Sequence, residues 1–113
     1  MKRLYFQIIF YVALFLAVAS FISALYTDVI TLTILILILL IITFKFDYRK
    51  DDLYHVIIGV IAGSLIEIIC IYFGVWHYAN PTFFSIPLWL PVAWGLAALA
   101  IKRTAVMFSE ARK

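Results

Sequence analysis

Polar residues divide this chain into four apolar runs, and that division leaves few folds open. Between Leu4 and Leu25 only Gln7, Ser20 and Ser23 are clearly polar. Tyr26-Thr27-Asp28 then separates this run from a second at 29–44. The charged stretch KFDYRKDD (45–52) precedes a third run at 53–75. A fourth occupies 88–101, and its helix is expected to continue past Lys102 and Arg103 to Ser109. With 67% hydrophobic and 13% charged residues in 113, a soluble domain could not hide this much apolar surface. Lipid is therefore the expected solvent. In hydrocarbon an unpaired backbone group costs several kcal/mol, and four strands could not close a barrel, so each run is expected to be helical. The expected fold is a single all-α domain over 1–113, with four transmembrane helices and a structured outer loop between the third and fourth.

The basic residues orient these spans. Lys2 and Arg3 precede the first, Lys45, Arg49 and Lys50 lie between the second and third, and Lys102, Arg103, Arg112 and Lys113 follow the fourth. The connections 26–28 and 76–87 contain neither Lys nor Arg. By the positive-inside rule both termini and the charged loop are expected to face the cytoplasm, and the expected location is a prokaryotic cytoplasmic membrane. Lys2-Arg3, the apolar run and Ala17-Val18-Ala19 have the form of a signal peptide, but apolar sequence continues six residues past Ala19, so a retained span is expected.

Helices in lipid associate through close backbone approach, so small residues mark expected contacts. Ala13, Ala17, Ser20 and Ala24 share one face of the first span. Gly59 and Gly63 form a GxxxG on the third, with Gly74 beyond it, and Ala93, Ala97 and Ala100 line the fourth. The second span has no Gly, Ala or Ser and is expected to be the most lipid-exposed.

Glu67 continues the Gly59–Gly63 line at the same spacing, which points it at a neighbouring helix. It lies roughly 13 Å below the level of Trp76 at the helical rise. A charged carboxylate at that depth costs at least a few kcal/mol. Such a group can donate or accept a proton, hydrogen-bond a ligand, or simply bond across helices. Above it come Trp76, His77, Tyr78, Asn80, Trp89 and Trp94, with Pro81, Pro87 and Pro91. An interfacial aromatic belt explains Trp76, Tyr78 and Trp89 without function. The prolines and Asn80-Pro81 suggest a rigid cap over an aromatic-lined hollow, with Glu67 at its floor and His77 at its rim. The expected ligand-binding set is Glu67, Trp76, His77, Tyr78, Asn80, Trp89 and Trp94. Glu67 is the sole candidate for catalysis. No metal-ligand cluster or cofactor motif is present, and the basic residues suit lipid headgroups rather than nucleic acid.

Glu67, then Gly74-Val75-Trp76-His77-Tyr78, then Ile86-Pro87 resembles the membrane-embedded lycopene cyclase domain. The same residues resemble bisanhydrobacterioruberin-hydratase-like carotenoid proteins, and related membrane families with a W-x-Y … P-x-W signature. The resemblance covers residues 67–95 and implies a fold that handles polyenes or isoprenoids. The cyclase pattern carries paired acids after Ile-Pro, whereas here Leu88-Trp89-Leu90-Pro91 follow. The resemblance therefore leaves Glu67 as the one acid placed for chemistry.

The expected function is binding of an apolar isoprenoid or lipid-like ligand, or of a partner helix, around Glu67. Two alternatives stay open. One is an isoprenoid- or carotenoid-modifying enzyme with Glu67 as proton donor. The other is a proton-coupled exporter resembling small multidrug resistance proteins, although their glutamate lies in the first span. Expected partners are membrane lipid and a second copy or a membrane complex.

Overall fold

The computed structural model describes residues 2–112 and consists of four helices. They are α1 (Lys2–Leu25), α2 (Val29–Lys45), α3 (Asp52–Tyr72) and α4 (Trp89–Ala111). Three of them, α1, α3 and α4, are long and apolar enough to cross a membrane. α2, at 17 residues, is a shorter apolar helix. The chain is a helical membrane protein on this evidence.

Local chemistry fixes the ends. Asp28 caps α2 by accepting from the Thr31 N–H at 3.2 Å. α3 ends in a Schellman turn. The Val75 N–H donates to the Cys70 carbonyl at 2.9 Å and the Gly74 N–H to Ile71 at 3.0 Å. Gly74 sits at φ +76, where a side chain would be strained, and a Cβ there would meet nothing within 4 Å. This corrects the expectation that Gly74 is a packing residue: it turns the chain. α4 begins after the buried pair Ile86-Pro87, and Pro91 falls within its first turn, where a missing N–H costs no helical bond.

α4 is the hub. It packs on α3, α2 and α1, whereas α3 packs chiefly on α4. α4 is also the most buried and least apolar of the three long helices, and α1 the least buried and most apolar. A helix shielded by protein on several sides does not need a lipid-soluble surface all round.

On the α3–α4 contact, Gly59 and Gly63 do what close packing requires. A Cβ on Gly59 would lie 2.5 Å from the Ala98 Cβ, and one on Gly63 would enter the Trp94 ring. Gly95 lies against Val56 and Val60. The pair is antiparallel, with Gly63 against Trp94, Gly59 against Ala98 and Asp52 against Arg103. The α4 face toward α3 is thus Trp94, Gly95 and Ala98, while Ala93 and Ala100 pack toward the core shared with α1 and α2, and Ala97 is half-buried.

Two packing expectations are overturned. α2 is not the outermost helix: Leu32, Ile36 and Thr43 are fully buried along one side of it. α1 buries only Leu14. Its Ala13, Ser20 and Ala24 are exposed, and Tyr11, Leu14, Val18 and Phe21 make its contacts instead. Large aliphatic and aromatic residues can fill a helix interface as well as small ones can permit it.

Candidate functional site

Glu67 faces α4 and is 6% exposed. Three donors converge on its carboxyl. Trp76 Nε1 reaches Oε2 at 2.8 Å, the Tyr78 hydroxyl reaches Oε2 at 2.9 Å, and Trp94 Nε1 reaches Oε1 at 3.2 Å. Each comes from a different place. Trp94 belongs to α4 and crosses over Gly63 to the carboxyl. Trp76 is brought back by the Schellman turn, two residues after Gly74. Tyr78 descends from the loop and stacks edge-on against Trp89, with ring centroids 6.1 Å apart.

The three donors are not equivalent. An indole N–H can only donate, so Trp76 and Trp94 oblige Oε2 and Oε1 respectively to accept. A tyrosine hydroxyl can do either. It donates to a carboxylate and can turn to accept from a carboxylic acid. Burial first, and then Glu67, raise the Tyr78 phenol above its ordinary value, so the hydroxyl keeps its proton. Tyr78 is thus the one partner of the carboxyl able both to donate and to accept.

The remaining expected residues lie elsewhere. His77 is exposed, and Trp89 is buried among core residues. Asn80 donates to the Tyr26 carbonyl at 3.1 Å and ties the loop to the α1–α2 corner. The loop is further ordered by a tight turn at 83–86, where Ile86 donates to the Phe83 carbonyl at 2.8 Å and Phe84 and Ser85 take left-handed φ of 46 and 66. Leu88 N–H donates to the Thr82 hydroxyl at 3.2 Å.

Trp94 also faces outward. A groove of about 580 Å³ runs between α3 and α4, lined by Gly59, Ala62, Gly63, Trp94, Ala98 and Ala105 among others. It reaches from Ile66 at mid-helix to His55 and Lys102 at the charged end. Trp94 therefore joins two features: its ring walls the groove and its N–H holds Glu67.

A second polar cluster lies at the opposite end of the bundle. Asp52 is fully buried and Arg103 is 5% exposed. Arg103 Nη2 donates to Asp52 Oδ2 at 2.7 Å and to the Phe44 carbonyl at 3.0 Å, and Nη1 donates to the carbonyls of Thr43 and Phe46. These carbonyls lie at the C-terminal end of α2, Thr43 also accepting from the Phe46 N–H at 3.2 Å, so Arg103 caps a helix other than its own. Lys102 bridges Asp51 at 3.0 Å and Asp52 at 2.8 Å. Lys102, beside Asp51, holds that exposed carboxyl below the usual range. The sequence treats Arg103 and Asp52 as loop-side charges. The signal that could have paired them is register: in antiparallel helices joined at Gly59–Ala98, the start of α3 meets Arg103.

Among the described residues, no group of three His, Cys, Asp or Glu side chains could hold a metal ion. Compared with protein families, curated proteins and solved structures, the chain matches none.

Proposed function

We propose that this protein binds one long apolar chain, of isoprenoid or acyl type, in the groove between α3 and α4. The observation that carries this reading is the double role of Trp94. Its ring forms a wall of an open apolar groove, and Glu67 fixes the orientation of that ring. A volume of about 580 Å³ falls within the range of small-ligand sites. A second helix is the less suitable occupant, because Gly59 and Gly63 are already filled by Ala98 and Trp94 of the same chain. The resemblance of residues 67–95 to carotenoid-handling proteins favours an isoprenoid. In this reading α2 is a short fourth span, its ends accommodated by local thinning of the bilayer. Both termini and the 45–52 loop then lie on the cytoplasmic side, as the basic residues require.

The test uses polyprenyl and fatty-acyl probes carrying a photoreactive diazirine, with the protein in lipid nanodiscs. Labelling is expected on residues 58–66 and 98–106, and Ala62→Trp, which fills the groove from an exposed position, is expected to abolish it. Labelling spread equally over the exposed face of α1, or unchanged by Ala62→Trp, would overturn the reading.

Tyr78 favours a second reading, in which Glu67 gives a proton to a double bond of a bound isoprenoid. Its carboxylate then takes one back from a carbon beside the resulting cation, so that the double bond moves and the acid is restored. Tyr78 is the one partner that can follow a change in the charge of Glu67. Turnover of a polyene substrate by the native protein, lost in Tyr78→Phe with probe labelling retained, would distinguish this reading from binding alone.

A further inference from the structure

The α3–α4 groove is apolar along most of its length and polar at one end. The Trp94 N–H is committed to Glu67, and the other two polar side chains in the wall are His55 and Lys102. From Ile66 to His55 the groove follows roughly 16 Å of α3 at the helical rise. A molecule lying in it meets hydrocarbon at one end and hydrogen-bonding groups at the other.

The bonds already made at the polar end define what an occupant must bring. His55 is half-buried, and its Nδ1 lies 2.9 Å from the Asp51 carbonyl. A carbonyl only accepts, so Nδ1 carries the proton, and in the neutral ring Nε2 is left as an acceptor. Nε2 has no partner among the described residues, and it is not one of the enclosed polar atoms that lack one, so it is open to an incoming group. Lys102 Nζ has three N–H groups, of which Asp51 and Asp52 take two. Asp51 therefore brings the two side chains together, His55 through its carbonyl and Lys102 through its carboxylate. The complementary group donates to Nε2 and accepts from Nζ. A hydroxyl does both, whereas an ester, ketone or ether brings only acceptors. A phosphate or carboxylate is opposed by charge. Lys102 and Arg103 are already matched by Asp51 and Asp52, so an added anion finds no uncompensated cation to offset its desolvation.

On the reading that this groove binds one long apolar chain, we propose that the chain is a primary alcohol. Its hydroxyl donates to His55 Nε2 and accepts from Lys102 Nζ, and its tail runs toward Ile66.

Four diazirine probes with one polyprenyl chain test it: the alcohol, its methyl ether, its monophosphate and the hydrocarbon. Labelling of the wild-type protein is measured in nanodiscs at mildly alkaline pH. The alcohol is expected to label the groove at the lowest concentration. The ether, which keeps the acceptor and loses the donor, is expected to need roughly 2- to 12-fold more, the range that one ordinary hydrogen bond gives. A diazirine beside the hydroxyl is expected to mark residues near 55 and 102, and one at the tail end residues near 66. His55→Phe is expected to bring the alcohol to the level of the ether and to leave the ether unchanged. Groove labelling that is equal for all four probes keeps the groove reading and overturns the alcohol, as water on Nε2 would cause. Tighter labelling by the monophosphate, a reversed orientation, or an alcohol preference that survives His55→Phe also overturns it. Absence of groove labelling by every probe overturns both readings.

Discussion

At the scale of single residues, the donor arithmetic around Glu67 makes an unusual demand. Glu67→Gln is commonly treated as a change that keeps shape and removes charge. Here it cannot keep the hydrogen bonds. Trp76 and Trp94 donate to different carboxyl oxygens, and replacing either oxygen by NH₂ sets an N–H against an indole N–H. Glu67→Gln is therefore expected to lose about 1–3 kcal/mol, the cost of a buried donor left unpaired. Adding Trp94→Phe removes the opposed indole, so the double variant should be destabilised by less than the sum of the single changes. Unfolding in a denaturing detergent, followed by circular dichroism over the four-variant cycle, measures this coupling. Additive losses would mean that the two groups do not meet. The acid and its indoles were legible in the sequence because polar atoms in apolar surroundings stand out. Trp89 was legible as an aromatic but not as a buried donor without an acceptor among the described residues, since only the folded chain shows where its N–H is left.

At the scale of helices, the sequence was informative about existence and much less so about faces. Apolar runs mark helices in lipid, but periodicity that would separate an inner from an outer face in water is muted when both faces are apolar. Small residues were the remaining guide. They succeeded on α3, where Gly59 and Gly63 admit α4, and failed on α1, whose Ala13 and Ala24 are exposed. α2 packs through Leu32 and Ile36, which no small-residue rule could find. Gly63→Leu is accordingly expected to prevent α3–α4 packing altogether. Ile36→Ala, at a fully buried position, should cost about 2–5 kcal/mol, whereas Phe15→Ala on the exposed face of α1 should be close to neutral. Detergent-melting temperatures of the three variants check the order. Arg103→Lys is expected to be damaging despite the retained charge. One ammonium cannot supply the planar fork that serves Asp52 and the carbonyls of Thr43, Phe44 and Phe46. Hydrogen exchange should then rise selectively at 41–46; exchange that rose uniformly would assign Arg103 no special role at that end.

At the scale of the whole molecule, the proposed topology places the Asp52–Arg103 cluster on the cytoplasmic side and the Glu67 site toward the opposite face. Single cysteines are introduced at Lys50 and Phe84, both exposed, with Cys70 replaced by Ser. An impermeant thiol reagent applied from outside is expected to label the position 84 variant and spare the position 50 variant; the reverse would invert the molecule. The hub position of α4 also bears on how the protein is made. Translation delivers α1, α2 and α3 to the membrane before α4, and of these only α1 and α2 make an extensive contact with each other. Until the last helix emerges, α3 has no main partner, Glu67 lacks its Trp94 donor and the end of α2 lacks Arg103. An incompletely synthesised chain thus displays an acid short of one donor and a helix end short of its guanidinium cap, features by which membrane quality control could tell it from the finished protein.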